Sequence, residues 1–316
     1  MQLSVETKKN AQKNGERKFQ TLRLSLLPIC NFACVYCKTG DLVYKKSLIQ
    51  KSKFYIDIIK NLKNYIDIKK IHLTGGEPTL YPYLGDVVRG IKRLQIPEVS
   101  ITTNGTLLKR RLKELVLAGL DGINLSLDAM DDQILQRMGT KKNFFFYNDL
   151  IQSIQNYKIK LKINTTVIKG YNENQILPLL NYCGGRGIPI RFLEYMQMGV
   201  NIELHKKRFF GKEDIINLIQ SDYQIKELPR EKHSTSKYWI THTGYKFGII
   251  ANHSDPFCYD CDRLRIDSMG NLYGCITQEK GIQYSKKNLK EILDKSLQYK
   301  QNFFKGSSNS MHQLGG

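Results

Sequence analysis

The sequence predicts an α/β fold in which strands and helices alternate through most of the chain. Short β-rich runs recur, amphipathic stretches lie between them, and each strand–helix pair spans roughly 25 to 40 residues. Alternation of this kind produces a parallel sheet covered by helices. Six such units suit either an incomplete barrel or an open wound sheet, and the periodicity leaves both possible.

The predicted strands follow a polar, basic N-terminal segment. They cover residues 22–27, 70–74, 99–103, 122–127, 161–168 and 189–196. The stretches LGDVVRGIKRLQ, LLKRRLKELVLAG and YNDLIQSIQNY carry apolar residues at helical spacing and lie between these runs. Beyond about residue 205 the alternation fades. There, segment 238–275 predicts a small β-containing extension packed on the barrel, and 288–304 predicts a helix.

These changes in pattern predict the domain organisation. Residues 1–18 form a flexible basic leader, 19–205 form the partial barrel, and 206–316 form a C-terminal region that ends in Gly-Gly. No stretch approaches the ~18 consecutive apolar residues of a membrane span, and the leader lacks the apolar segment of a secretory signal. We therefore expect a cytoplasmic protein without a membrane partner.

The charge balance is strongly basic. Lys and Arg number 49 against 29 Asp and Glu, a formal net charge of +20, while 41% hydrophobic residues suffice for a substantial core. A positive field attracts nucleic acid, anionic membranes or phosphorylated small molecules, so charge alone does not choose among them. The ordinary nucleotide-binding signatures GxxxxGK[ST] and GxGxxG are absent from the sequence.

Polar turns follow three of the predicted strands. They are Thr74-Gly75-Gly76-Glu77-Pro78, Thr102-Thr103-Asn104-Gly105 and Ser126-Leu127-Asp128. In parallel α/β folds the ligand binds at the carboxyl ends of the strands, where glycine lets the backbone approach it closely. The side chains of Thr, Ser, Asn and Glu add hydrogen-bonding groups there. These turns therefore predict a binding site at one edge of the sheet.

A cysteine triplet, Cys30, Cys34 and Cys37, follows the first strand with the spacing C-x3-C-x2-C. In a reducing compartment such cysteines are metal ligands or catalytic groups rather than disulfides. A structural zinc site takes four protein ligands, and residues 20–60 contain no histidine and no fourth cysteine. An iron–sulfur cluster held by three thiolates leaves one iron open to a small-molecule chelate, and the spacing favours this interpretation.

A second triplet, Cys258, Cys261 and Cys275, has the spacing C-x2-C-x13-C. His253 lies five residues before Cys258 and could complete a zinc site, so spacing alone leaves zinc and an iron–sulfur cluster open. The seventh cysteine, Cys183, falls in a predicted helix, and we interpret it as a small core residue.

These motifs together resemble the radical S-adenosylmethionine superfamily, in which C-x3-C-x2-C is followed by a Gly-Gly-Glu-Pro turn, here Gly75 to Pro78. Within it, the chain is similar to the MoaA family of GTP 3′,8-cyclases from about Thr21 to the last residue. The segments that carry this resemblance include LRLSLLPICNFACVYC, IHLTGGEPTLYP, TTNGTLL, NLSLDA, KINTTVIKGYN, IRFLEYM, DPFCYDCDRLRIDSMGNLYGC and SMHQLGG. It implies an incomplete (β/α)6 TIM-like barrel with a C-terminal extension that carries a second iron–sulfur cluster.

The resemblance also implies S-adenosylmethionine, two [4Fe–4S] clusters, and a radical lyase reaction on GTP that begins molybdenum cofactor synthesis. One cluster would lie on Cys30, Cys34 and Cys37, and the other, with guanine on its open iron, on Cys258, Cys261 and Cys275. The implied cofactor-binding residues are Tyr36, Gly75, Gly76, Glu77, Ser126 and Met196. The implied substrate-binding residues are Arg23, Lys70, His72, Thr102, Lys162, Arg191, Arg263, Leu264 and Arg265. The implied catalytic set is the first cysteine triplet with Gly315 and Gly316 of the tail.

Partners follow from the same resemblance. They are GTP, an electron donor such as flavodoxin or ferredoxin, and a downstream cyclic pyranopterin monophosphate synthase; a homodimer is compatible with it, and nucleic acid is not expected. The chain departs from the family at His72, where an Arg is usual, at Asp262, where Asn is common, and at the segment before Cys30. These departures leave open an enzyme that acts on another nucleotide or a peptide. The basic charge leaves open a zinc-stapled module that binds nucleic acid.

Overall fold

A computed structural model describes residues 17–37, 49–199, 202–304, 306–308 and 314. The strands are β1 (Thr21–Ser25), β2 (Lys70–Thr74), β3 (Glu98–Thr103), β4 (Gly122–Ser126), β5 (Lys160–Val167), β6 (Ile190–Glu194), β7 (Ile225–Leu228), β8 (Lys237–Thr241), β9 (Lys246–Ile250), β10 (Arg263–Ile266), β11 (Asn271–Tyr273) and β12 (Ile282–Gln283). The helices are α1 (Ser52–Leu62), α2 (Leu84–Arg93), α3 (Leu108–Ala118), α4 (Asp132–Arg137), α5 (Phe144–Asn156), α6 (Ile176–Gly184), α7 (Ile202–Arg208), α8 (Lys212–Gln220) and α9 (Leu289–Gln298). Short 3₁₀ helices cover Pro78–Leu80, Glu173–Gln175 and Cys258–Asp260.

Within these residues all the strands join one sheet in the order β12-β11-β10-β1-β2-β3-β4-β5-β6-β9-β8-β7. The strands from β10 through β1–β6 to β9 pair in parallel, and antiparallel strands flank them on both sides. In the described part of the chain the outermost strands, β12 and β7, do not pair with each other, so the barrel is incomplete. The predicted α/β class is confirmed, and the six predicted strands agree with β1–β6 to within two residues at each end.

Local sequence explains where several helices begin and end. The Asp131 carboxylate accepts a hydrogen bond from the Ile134 amide (2.9 Å) and caps α4. Asn143 caps α5 in the same way. Such side chains satisfy amide groups that the first helical turn leaves unpaired. Helix α3 ends at Gly119, whose left-handed backbone (φ 98°) closes the helix at a conformation that glycine adopts without steric cost.

The parallel strands present different residues to their two faces. Leu22, Ile71 and Val99 are fully buried and belong to the main apolar cluster with the surrounding helices. The next residue along each strand points the other way. Arg23 and His72, for example, are paired in register across β1 and β2 and face the inside of the barrel. Since side chains alternate along a strand, the outer face builds the core and the inner face builds a polar cavity.

The C-terminal region contributes strands to the sheet, which the sequence did not predict. Strand β9 pairs in parallel with β6, and β10 pairs in parallel with β1, so the extension continues the barrel wall at both ends instead of only packing on it. The predicted helix over 288–304 is shorter than expected: α9 ends at Gln298, and the Lys300 side chain then turns toward Cys261. None of the helices in the described residues has the length and apolar character that a membrane span requires.

Candidate active site

The barrel encloses a cavity of about 920 Å³. Its wall includes Gly75, Glu77 and Asn104 at the carboxyl ends of the strands, and Lys70 and Glu98 at the amino ends. The polar turns in the sequence predicted a binding site at the carboxyl ends. The structure extends the cavity to the opposite end, because the polar inner face of the sheet lines it along the whole length of the strands.

The first cysteine triplet lies at the carboxyl end of β1. Cys30, Cys34 and Cys37 all line the cavity. The Asn104 amide group donates to the Cys30 Sγ at 3.7 Å. Burial raises the pKa of the Cys30 and Cys34 thiols, because a buried thiolate loses its hydration. A metal cluster that binds these side chains as thiolates would have to displace their protons.

A glycine allows the segment after α4 to approach the cysteine loop. The Val35 amide donates to the Met138 carbonyl (3.2 Å), and a Cβ on Gly139 would lie 2.2 Å from the Ala33 carbonyl oxygen. Gly139 also has φ +91°, in the left-handed region. A larger residue at this position would push the cysteine loop out of place.

The glycine turn after β2 packs against the chain just before Cys30. The amide of Gly76 donates to the Leu27 carbonyl and that of Glu77 donates to the Ile29 carbonyl, both at 2.7 Å. A Cβ on Gly76 would lie 2.0 Å from the Ile29 carbonyl oxygen. The second glycine of the motif is therefore required by close backbone contact with the cysteine loop.

The Glu77 carboxylate ties the ends of β2 and β3 together. It accepts hydrogen bonds from the Thr79 amide (2.9 Å), the Thr79 hydroxyl (2.5 Å), the Thr103 hydroxyl (2.6 Å) and the Asn104 amide (2.7 Å). The residue is 1% exposed, and burial raises the pKa of the carboxyl group even though these donors favour its charged form. Its side-chain oxygens are occupied, so the turn offers a ligand mainly its backbone groups.

Tyr36, Ser126 and Met196 line the same end of the cavity. The Tyr36 hydroxyl donates to the Asp128 carboxylate (2.8 Å), which also accepts from the Thr166 amide (2.9 Å). Burial raises the pKa of Asp128 to about 6. The cysteine loop is thus fixed to the end of β4 through a buried carboxylate, which sequence reasoning did not single out as a site residue.

The second cysteine triplet has a more cationic environment. The guanidinium of Arg263 and the ammonium of Lys300 lie 3.4 Å and 3.3 Å from the Cys261 Sγ. Burial raises the pKa of Cys261, but these two cations outweigh it and lower the pKa to about 5. The site therefore holds a thiolate in a buried environment, as metal ligation requires. Lys300 has no sequence signal, because it lies in a stretch predicted as a continuous helix.

The second triplet borders the cavity through its neighbours. Asp262 and Arg263 line the wall, whereas the three cysteines are half-buried beside them. The ring of His253 packs against His205 and Phe209. Among the described residues no three cysteine, histidine or carboxylate side chains converge on a point that would hold a single metal ion. The arrangement gives no support to the zinc site that His253 would have completed.

Most of the predicted substrate-binding residues come together on the inner face of the barrel. The residues that line the cavity are Arg23, Lys70, His72, Thr102, Lys162, Arg191 and Arg263. Arg265 is buried beside Arg23 and is not part of the lining surface. Leu264 points the other way, into the main apolar core, and is fully buried there. Alternation along β10 explains this, since Arg263 and Arg265 share one face and Leu264 the other.

Two of the arginines differ in their partners. Arg191 is held by Asn164 (Nε to Oδ1, 2.8 Å) and Asn124 (Nη2 to Oδ1, 2.7 Å). The Nε of Arg23 is buried and has no hydrogen-bond partner among the described residues. Burial, followed by repulsion from Arg265, lowers the pKa of Arg23. A buried guanidinium with an unpaired donor and cationic neighbours is a site for an anion.

His72 also lines the cavity, but it adds no charge to the cavity wall. Its Nδ1 lies 2.6 Å from the Ser100 hydroxyl. Burial, then Arg23 and Lys70, lower the pKa of the imidazole well below its ordinary value. The ring is therefore neutral at pH 7, and Lys70 is itself paired with Glu98 at 2.6 Å. A neutral side chain at this position adds no cation to the cavity.

Sequence reasoning missed the loop that joins β7 to β8. Residues 229 and 231–236 line the cavity, and Arg230 pairs with Asp260 at 2.7 Å. The tail residues Gly315 and Gly316 lie outside the described residues. The residue before them, Leu314, is buried in an apolar cluster with Met198 and Tyr273.

Comparisons with known proteins agree with this geometry. The family model described as Radical SAM superfamily matches residues 24–183, and that described as Molybdenum Cofactor Synthesis C matches 188–305. A GTP 3′,8-cyclase of Aquifex aeolicus (strain VF5) is 32% identical over 273 residues, which cover 84% of each chain. The chain belongs to the GTP 3′,8-cyclase family. A GTP 3′,8-cyclase of Helicobacter pylori (strain ATCC 700392 / 26695) is 33% identical over 297 residues, covering 89% of this chain and 90% of that protein.

A solved structure shares the fold. Streptococcus suis SuiB bound to S-adenosylmethionine has a TM-score of 0.65 and 16% sequence identity, over 94% of this chain and 71% of that chain. As a member of the GTP 3′,8-cyclase family, this chain is a radical SAM enzyme, with S-adenosylmethionine and an iron–sulfur cluster as cofactors. The first triplet offers three cysteine side chains on the cavity wall to such a cluster.

Proposed function

We propose that this chain converts GTP into (8S)-3′,8-cyclo-7,8-dihydroguanosine 5′-triphosphate in the first step of molybdenum cofactor biosynthesis. The single observation that carries the proposal is the cation wall between the two cysteine triplets. This wall consists of the cavity-lining side chains Arg23, Lys70, Lys162, Arg191 and Arg263. Arg23 there has a buried Nε without a partner among the described residues, and a triphosphate supplies the oxygens that it lacks. The named relatives, which are GTP 3′,8-cyclases, support the same substrate.

In this proposal the first triplet holds one [4Fe–4S] cluster and leaves one iron to S-adenosylmethionine. When bound, these groups supply a 5′-deoxyadenosyl radical, chemistry that belongs to the cofactor and not to the protein. The backbone of Gly75, Gly76 and Glu77 would bind the amino acid end of the cofactor. Tyr36, Ser126 and Met196 would surround the rest, as their places on the cavity wall allow.

The second triplet would hold another [4Fe–4S] cluster with the guanine base on its open iron. Thiolate character at Cys261 supports a metal there. The triphosphate would lie against Arg23, Lys70, Lys162, Arg191 and Arg263, with Arg265 behind them and Thr102 beside them. Anchoring the nucleotide at both ends would present the C3′ hydrogen of the ribose for removal and bring C3′ to C8 of the same base.

Other parts of the proposal concern the remaining chain and its partners. Residues 1–18 would form a basic leader, 19–205 the radical SAM barrel, and 206–316 the substrate and cluster region, with Gly315 and Gly316 reaching the site. The electron donor would be a flavodoxin or ferredoxin, and the product would pass to cyclic pyranopterin monophosphate synthase in the cytoplasm. Family membership favours this enzyme over a zinc-stapled nucleic-acid module.

Anaerobic reconstitution tests the function directly. Wild-type protein with iron, sulfide, S-adenosylmethionine, GTP and a chemical reductant should form 5′-deoxyadenosine and a cyclised guanosine triphosphate in equal amounts. A variant that lacks the Cys34 thiol serves as the control and should form neither. Cofactor cleavage that is independent of GTP, with no nucleotide product, would contradict the proposal.

A second candidate substrate is another nucleotide, and the neutral His72 favours it. Without a cation at this position the wall has less charge for three phosphates. Competition among GTP, GDP and other purine triphosphates in the same assay separates the two candidates. Preferential turnover of a nucleotide other than GTP would replace the first candidate with the second.

A further inference from the structure

The loop between β7 and β8 places a histidine on the cavity wall in an unusual backbone conformation. His233 lines the cavity and has φ 63°, in the left-handed region. Residues other than glycine rarely adopt this region, and they cluster at functional sites when the surrounding structure holds them there. The structure around His233 shows what holds it.

An ion pair fixes this loop to the second cysteine triplet. The Arg230 guanidinium donates to both carboxylate oxygens of Asp260, at 2.9 Å from Nη1 and 2.7 Å from Nη2. The two side chains are only 12% and 13% exposed. Asp260 lies in the short turn between Cys258 and Cys261. The cavity loop and the cysteine turn are therefore one rigid unit, since a two-pronged pair of this kind sets orientation as well as distance.

Two further contacts orient His233 within this unit. Its amide donates to the Asp260 carboxylate at 2.9 Å, and its Nδ1 lies 2.5 Å from the Asp260 carbonyl oxygen. A carbonyl oxygen only accepts hydrogen bonds, so Nδ1 carries the hydrogen. In a neutral imidazole Nε2 then has a free lone pair and acts as an acceptor.

The chemistry of guanine matches an acceptor at this place. An open iron takes a ring nitrogen or oxygen that offers a lone pair, whereas the exocyclic amine of guanine is a hydrogen-bond donor. An acceptor held beside the second triplet would therefore meet the amine and not the metal-binding atom. We propose that Nε2 of His233 accepts a hydrogen bond from the exocyclic amine of guanine and so selects guanine over bases without that amine. This inference rests on the proposed function.

The substitution His233→Asn tests this with the loop kept in place. Asparagine also tolerates the left-handed region, and its side-chain amide can donate to the Asp260 carbonyl from near the position of Nδ1. It has no atom that replaces Nε2. The readouts are equilibrium binding to the reconstituted protein and the anaerobic reaction with a chemical reductant. Each is measured separately with GTP and with inosine triphosphate, which lacks the exocyclic amine, and the dissociation constant for GTP should rise by the factor by which kcat/KM falls.

We expect kcat/KM for GTP to fall roughly threefold to tenfold in His233→Asn, as the loss of one neutral hydrogen bond predicts. The kcat/KM for inosine triphosphate should stay at the wild-type level, so the ratio of kcat/KM for GTP to that for inosine triphosphate should fall. Lys226→Asn on the exposed side of β7 is the matched control and should change neither substrate. A general effect on folding would lower both values together.

Each alternative outcome overturns the inference. An unchanged preference for GTP in His233→Asn, whether both values stay or both fall, shows that Nε2 does not contact the amine. If the wild-type protein turns over neither nucleotide, the proposed function itself fails, and the inference that rests on it fails for that separate reason. The wild-type reaction thus distinguishes the two failures.

Discussion

Arg23 and Arg265 occupy paired positions on the neighbouring parallel strands β1 and β10. Both are buried. Burial and then repulsion from Arg263 lower the pKa of Arg265 to about 10, and burial and then Arg265 lower that of Arg23. Cations crowded in this way destabilise the free protein. A polyanion that binds among them removes that cost, and its affinity gains accordingly.

Replacing Arg23 should therefore have opposite effects on binding and on stability. In Arg23→Met the affinity for GTP should fall roughly 10- to 100-fold, the value of one charge-assisted contact. The free energy of unfolding of the ligand-free protein should rise, because a guanidinium with a buried, unpaired Nε is replaced by an apolar side chain of similar length. Calorimetric titration and urea unfolding measure the two effects. Arg110→Met, on the exposed side of α3, should change neither.

Substitutions in the two cysteine triplets should lower the iron content equally but should have different effects on the products. Reconstituted wild-type protein should hold about eight irons, and Cys34→Ala and Cys261→Ala about four each, since each cubane carries four. Cys34→Ala should lose cleavage of S-adenosylmethionine. Cys261→Ala should retain the first cluster but form no cyclised nucleotide, because the substrate loses one anchor. Iron analysis and product chromatography measure this, and wild-type product from either variant would contradict the assignment.

Restoring a cation at His72 should strengthen triphosphate binding. His72→Arg places a permanent charge beside Arg23 and Lys70, so the dissociation constant for GTP should fall about tenfold and depend more steeply on salt. The free energy of unfolding without ligand should fall, because another cation joins the buried set. His72→Gln keeps a neutral hydrogen-bonding group and is the control. Equal affinity in all three proteins would show that the triphosphate does not reach this position.

The raised pKa of Asp128 predicts a specific pH dependence of stability. Because its pKa is about 6 in the folded protein and lower in the unfolded chain, the folded state binds the proton more tightly. The free energy of unfolding should therefore fall by roughly 3 kcal/mol as pH rises from about 3 to about 7. In Asp128→Asn this contribution should be absent. Urea unfolding of the metal-free protein across this range measures the difference, and parallel curves for the two proteins would contradict it.

The barrel strands could be predicted closely because their signals are local. The run 70–74 coincides with β2, and 161–168 differs from β5 by one residue at each end. The glycine turn and both cysteine triplets also have short, fixed spacings. The sequence did not predict that β9 and β10 would join β6 and β1, because pairing between distant segments leaves no local pattern.

The parts of the site that escaped prediction are contacts between distant residues. Arg230 and Asp260 are separated by 30 positions, and Lys300 reaches Cys261 across 39. Each is an ordinary polar residue in its own stretch of sequence. Leu264 is among the substrate-binding residues that the family resemblance implied, and alternation along β10 directs its side chain into the core.

The connection from β9 to β10 carries Cys258 and Cys261, and those two strands bound the run of parallel strands on its two sides. This short connection therefore spans from one end of the parallel run to the other. A metal bound there would hold these two ends to each other. Loss of that metal should therefore increase the rate of amide hydrogen exchange in both β9 and β10, although six other strands lie between them in the sheet.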